Sequence, residues 1–467
     1  MRLIFGLTAG LLARSAAADV KPHPLFTDHA VLQQGRTLPV WGWAADGEKV
    51  TVKLAGQEAS TEAKDGKWRV DLEPLAAGGP HQLTIEGKNK VVVDDVLVGE
   101  VWVASGQSNM EWGLEATDGA DKAIAAATDG KIRFFTVPKR SSAEPEANVD
   151  AHWVVCSPET AKHFSAVAYY FGKDLRARLD RPVGLIGTYW GGTPSEAWAR
   201  REKLSADTAL AHILGYDRKP GDAWYPGGLY NGMIAPIAPY AISGAIWYQG
   251  ESNADRAWQY RTLFPAMISS WRETWGQGDF PFLLVQLAPF KKIKAEPGES
   301  DWAELREAQL LSTKVLPNVG MAVITDVGEE EDIHPRKKQP VGARLAIAAR
   351  KLAYGEELEH SGPELRGAKF DGGQATLTFD HVGGGLEAKG GELAGFTLAG
   401  EDRKFHNAKA KITGRDTIVV SSPEVPHPVA VRFGWADFPV VNLWNKDGLP
   451  ATPFRSDDFP AITRHRQ

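Results

Sequence analysis

The 467-residue chain has a single cysteine, Cys156, so no internal disulfide forms and stability must come from the core. No cysteine-protease pattern surrounds that thiol. Its neighbours HWVVCSPET alternate like a strand edge, which predicts a buried structural cysteine. A basic excess is missing as well. With 53 Lys+Arg against 59 Asp+Glu the formal net charge is −6, which offers no footprint for nucleic acid or an anionic membrane surface. After the N-terminus no apolar run reaches spanning length without charges, so no membrane span is expected. The scattered histidines and lone cysteine have no zinc-ligand spacing, and neither a metal nor another cofactor is expected. Internal repeats and low-complexity tracts are absent, and 43% hydrophobic with 24% charged residues excludes extended disorder. What the chain has in plenty is glycine (48), proline (29) and tryptophan (16), a mix that suits loop-rich β structure and carbohydrate-facing surfaces.

The first residues, MRLIFGLTAGLLARSAAAD, combine Arg2, a short apolar stretch and a small-residue Ala16-Ala17-Ala18. This reads as a secretory signal peptide over residues 1–18 and predicts an exported protein, periplasmic or extracellular. From 19 to 95 short alternating runs (Thr37–Trp43, Lys49–Leu54, Lys67–Leu72, His81–Ile85) predict an antiparallel β domain, with Asp65-Gly66 as a hairpin signal. From 96 to 355 apolar runs at Val96–Ala104, Val183–Thr188, Ser243–Tyr248, Pro281–Leu287 and Gly320–Thr325 alternate with helical patterns. That order predicts an α/β domain with a parallel sheet covered on both faces. From 356 to 467 alternation returns and predicts a second antiparallel β domain. The sequence specifies no oligomeric state.

Four segments carry chemistry. Gly106-Gln107-Ser108-Asn109-Met110 follows the first central strand and places a serine where open α/β sheets build their sites. Trp190-Gly191-Gly192-Thr193-Pro194 follows the next, and its paired glycines let a backbone amide approach a ligand. Gln249-Gly250-Glu251-Ser252-Asn253 follows a third and offers side-chain amides, with Glu251 as an acceptor of backbone N–H groups. Asp332-Ile333-His334-Pro335 precedes the last helix and supplies a base with a nearby acid. Each alone matches an ordinary cap, turn or polar loop. Their common order places all four along one edge of one sheet.

The strings GQSNM, WGGTP, WYQGESN and DIHP, with LYNGMIAPI and IHPRKKQPVGARLA, resemble the sialate O-acetylesterase family within the SGNH hydrolases. No G-x-S-x-G elbow is present, which disfavours an ordinary α/β-hydrolase. The resemblance implies an SGNH-type three-layer sheet, Ser108 as nucleophile, His334 as base and an O-acetylated sugar as substrate. It implies an oxyanion hole of the Ser108 amide, Gly192 (or Gly191) and the Gln249 side chain, supported by Glu251 and Asn253. Glutamine stands where many relatives carry asparagine. Three acids are open for orienting His334: Asp332, favoured here, Glu331 and Asp326. Acetylated sialic acid and acetylated xylan or xyloglucan are both compatible with these motifs, and so is an inactive carbohydrate-binding protein. Trp112, Trp190 and Trp198 are candidate sugar platforms against the commoner fate of core packing. Arg200, Arg201 and Lys337 are candidate carboxylate partners, with solvated charge the better reading of each.

Overall fold

The computed structural model describes residues 19–466, so the expected signal peptide lies outside the described residues. Strands Leu38–Trp43, Lys49–Leu54 and Lys67–Leu72 form where the alternation places them. The last buries Trp68, Val70 and Leu72 and exposes Lys67, Arg69 and Asp71, which is the period-two pattern of a half-buried strand. An edge strand, Gln57–Glu62, was not anticipated, because QEASTE has no apolar alternation and is held by pairing with Lys49–Leu54. Asp65 (φ +52°) and Gly66 (φ +72°) make the expected two-residue turn, closing Lys64 onto Lys67.

The central strand, β1 (Lys90–Gly106), is 17 residues long and runs unbroken across the expected boundary at 95/96. Its first half pairs antiparallel with Gly78–Glu86, and its second half pairs parallel with later strands. The antiparallel pairing runs on to Val98 and the parallel pairing with the later strands begins at Glu100. Within the antiparallel half Asp95 has φ +54°, and its carboxylate holds Arg133 at 2.8 Å and His29 at 2.7 Å. Val31–Gln33, Lys49–Leu54, Gln57–Glu62 and Gly78–Glu86 therefore extend the central sheet, which has 11 strands among the described residues, while Leu38–Trp43 and Lys67–Leu72 belong to a separate three-stranded sheet.

Further along lie α1 (Ser108–Glu111), β2 (Ile132–Thr136), β3 (Trp153–Val155), α2 (Ala166–Leu179), β4 (Val183–Tyr189), β5 (Gly244–Tyr248) and α3 (Ala257–Trp275). They are followed by β6 (Phe282–Val285), α4 (Asp301–Val315), β7 (Val319–Ala322) and α5 (Gln339–Leu352). The sheet order is β3-β2-β4-β1-β5-β6-β7, parallel except for the edge strand β3. Its strands are buried on both faces, hence the continuous apolar runs. Val101, Val103, Trp247 and Leu284 face one core with Leu263 and Phe264 of α3 and Leu305 of α4. Trp102, Ala104, Ile246 and Leu283 face the other with α2 and α5. Cys156 is buried there, and burial pushes its thiol up to about 11, away from nucleophilic use.

Beyond α5 the chain forms antiparallel sheets around a separate core that includes Leu377, Leu398, Ile418 and Phe433. Arg306 of α4 joins this region to the rest. Fully buried, it donates to the carbonyls of Leu287 (2.8 Å), Ala288 (3.1 Å), Ala436 (2.7 Å) and Asp437 (2.9 Å). Burial pulls this guanidinium down to about 9, with Asp437 opposing. Arg306→Met leaves those carbonyls without their donor. Since hydrogen bonds to a charged group are worth about 1.5–3 kcal/mol each, thermal unfolding should shift down by several degrees. An unchanged midpoint would mean that water replaces the guanidinium at no cost.

Candidate active site

Gly106 ends β1 with φ +138°, and a Cβ there would lie 2.1 Å from the Tyr248 carbonyl oxygen of β5. Only glycine fits this close approach, and it turns the chain so that Ser108 opens α1 at the sheet edge. The loop before α5 brings His334 back across 226 residues, with Nε2 2.9 Å from Ser108 Oγ. Its Nδ1 lies 3.3 Å from Asp332 Oδ1, and the same carboxylate oxygen accepts the His334 backbone N–H at 2.8 Å. Trp112 stacks on the imidazole at 4.7 Å with planes 16° apart, and its own N–H is anchored on the Ala116 carbonyl. Asp326 is instead held bidentately by Arg344 at 2.6 and 2.8 Å, and Glu331 is exposed.

The glycine pair splits. Gly191 packs against Ser108, a Cβ there falling 3.2 Å from Ser108 Cβ, and its N–H donates to Glu111 Oε2 at 2.7 Å. Glu111 is braced in turn by Lys139 at 2.5 Å. Gly192 takes φ +73°, and its amide makes no hydrogen bond within the described residues. The structure does not present the Gln249 amide to Ser108. This side chain is fully buried, donates to Asn253 Oδ1 (2.7 Å) and Thr193 O (3.3 Å), and accepts from Tyr260 at 2.9 Å. Asn253 likewise faces inward, receiving the Ser195 amide at 2.9 Å and donating to Glu196 at 2.9 Å. Of the candidate sugar platforms, Trp198 is core, Trp112 belongs to the histidine, and Trp190 is half-buried beside Lys139.

Sequence reasoning passed over a buried layer beneath the serine. Asn109 donates to Glu251 Oε1 at 2.6 Å and to the Ile333 carbonyl at 3.0 Å, and accepts from Lys338. Burial pulls the Lys338 ammonium down to about 7, opposed by Glu251 and Asp332, and pushes the Glu251 carboxyl up. Asn109 and Glu251 were visible inside the motifs. Lys338 stood in the quoted string, where a run of three basic residues reads as solvated charge.

The sequence model of the carbohydrate esterases described as sialic acid-specific acetylesterase matches residues 98–351. The chain belongs to this family. A sialate O-acetylesterase of Homo sapiens is 34% identical over 403 residues, covering 77% of each chain. Its counterpart in Mus musculus is 31% identical and covers 97% of each. The crystal structure of a carbohydrate acetylesterase from Xanthomonas citri superposes with a TM-score of 0.89 at 44% identity, covering 94% of this chain and 100% of that one. As a member of the carbohydrate esterases the protein is a carboxylic ester hydrolase, and no described helix is long and apolar enough to cross a membrane.

The imidazole of His334 is lowered from its usual value, first by burial, with Asp332 opposing and Lys338 reinforcing. If His334 acts as the base it must be neutral to accept a proton, so the acid limb of kcat/KM should have its midpoint below the ordinary imidazole value of 6.5. Lys338→Met removes a neighbouring positive charge, which should move this acid limb to higher pH. A limb that stays in place in Lys338→Met would show that the ammonium does not act on His334.

Proposed function

We propose that the protein is an exported serine esterase of SGNH type that removes O-acetyl groups from sugars, acetylated sialic acid first among them. The observation that carries the reading is the Ser108–His334–Asp332 relay, with gaps of 2.9 and 3.3 Å. His334 Nε2 takes the Ser108 proton as Oγ attacks the acetyl carbonyl carbon. The amides of Ser108 and Gly192 receive the oxyanion, because neither is spent on another group among the described residues. Gly191, Gln249, Glu251 and Asn253 brace the loops that carry these donors. Collapse of the tetrahedral intermediate breaks the C–O bond to the sugar, whose oxygen takes the proton from the imidazolium. Water then attacks the acetyl-enzyme with His334 again as base and releases acetate. Asp332 fixes the Nδ1–H tautomer and stabilises the imidazolium. No step calls for a metal or other cofactor, and the sugar substrate is the one partner the mechanism needs. We assign residues 1–18 to the signal peptide, 19–95 and 356–467 to the flanking β regions and 96–355 to the catalytic unit.

Acetate release from O-acetylated sialic acid, compared with acetylated xylan and xyloglucan, tests the substrate. Preference for the plant polymers would keep the mechanism and favour the broader naming of the Xanthomonas citri protein. Ser108→Ala should lower the rate by roughly three orders of magnitude or more, and Asp332→Asn by about two to four. Full activity in Ser108→Ala would refute the relay. If Asp332→Asn stays near wild type while Glu331→Gln or Asp326→Asn does not, the acid is misassigned.

A further inference from the structure

Beyond the far end of α5, a helix of 14 residues and so about 21 Å long, two histidines and a glutamate converge away from the esterase relay. Glu359 Oε1 accepts the backbone N–H of His360 at 3.0 Å and of Ser361 at 3.4 Å, which fixes the carboxylate. His381 Nδ1 lies 2.9 Å from that oxygen and His360 Nδ1 3.9 Å from it. The two imidazoles meet at 90° with centroids 5.4 Å apart, and one ligand atom from each of the three residues lies within 4.8 Å of the others. In a tetrahedral site with bonds of about 2.0–2.2 Å, neighbouring ligand atoms sit roughly 3.3 Å apart. The two observed gaps straddle that spacing, so small ring rotations suffice.

Two features hold the residues in place. Fully buried Asn445 donates to the carbonyls of Ser361 and His381, at 3.0 Å each, and so clamps both ligand-bearing segments. His381 is kept at φ +55°, a conformation that costs a non-glycine residue free energy. The side chains are 19% (Glu359), 22% (His360) and 33% (His381) exposed, which leaves one side open for water to complete the shell.

The geometry points to a divalent-metal site at Glu359, His360 and His381, suited to zinc by its imidazole and carboxylate donors. The metal would staple the linker after α5 to the turn that follows strand Gln374–Asp380. The test uses the tag-free full chain, stripped by chelator, dialysed against Zn²⁺ and passed through a desalting column. One zinc per chain should be retained, with a raised thermal midpoint and an unchanged esterase rate. Co²⁺ in its place should give the visible absorption of a low-coordinate, imidazole-bound ion. His381→Asn, a residue that tolerates positive φ, and His360→Ala should each lose the retained zinc. Wild type that leaves the column without zinc, or His381→Asn that holds as much as wild type, overturns the site. Should the variants fail to fold, absence of the Co²⁺ absorption in wild type overturns it alone. The three residues would then be an ordinary histidine–glutamate hydrogen-bond cluster.

Discussion

The active edge depends on one side chain, that of Asn109. It is fully buried, and its amide ties together Glu251, Ile333 and Lys338, which stand 142, 224 and 229 residues away in sequence. A buried amide left without partners costs about 1–3 kcal/mol, so the three segments are held in mutual register by the penalty of separating them. Ser108 precedes this residue and His334 follows Ile333. The 2.9 Å approach of His334 Nε2 to Ser108 Oγ is thereby inherited from a bond network underneath it. The charged members of the network, Lys338 and Glu251, are mutually attracted across Asn109, and both are costly to bury. Such an arrangement sacrifices stability for position.

The same economy runs through the motif residues that do not face the substrate. Gln249, Asn253, Glu196 and Arg256 form a buried chain in which Glu196 accepts from Asn253 at 2.9 Å and Arg256 at 2.8 Å. These groups stiffen the loops after β4 and β5 against each other. The amides of Ser108 and Gly192 are therefore carried on a braced frame, which the proposed oxyanion role requires of them.

Much of this was legible in the sequence, for physical reasons. α5 runs over Gln339–Leu352, after Pro335, as the helical spacing of Val341, Leu345, Ala348 and Leu352 indicates. Strands Lys49–Leu54 and Lys67–Leu72 match because one face of each is more buried than the other. The order of four motifs along a parallel sheet was legible because consecutive strand ends fall on one edge. Gln57–Glu62 was not, since a polar edge strand is specified by its partner. Nor was the direction of the Gln249 side chain, which is decided by Tyr260, Thr193 and Asn253. The Glu359–His360–His381 cluster has no spacing signal, because a turn between two strands brings its members together. The expected boundary at 95/96 falls beside Asp95 (φ +54°), inside a strand whose pairing changes direction a few residues later, between Val98 and Glu100.

That unbroken strand bears on synthesis. The antiparallel partner of β1, Gly78–Glu86, precedes it in the chain and can pair as soon as both have emerged. Its C-terminal half waits for β4 at Val183–Tyr189 and then for β5 at Gly244–Tyr248. At ordinary elongation rates that interval is on the order of ten seconds. Throughout it the stretch from Glu100 to Ala104 lacks both of its parallel neighbours and is an open sheet edge, the surface on which nascent chains stick to one another. The segment that delivers Ser108 is therefore one that needs shielding during translation.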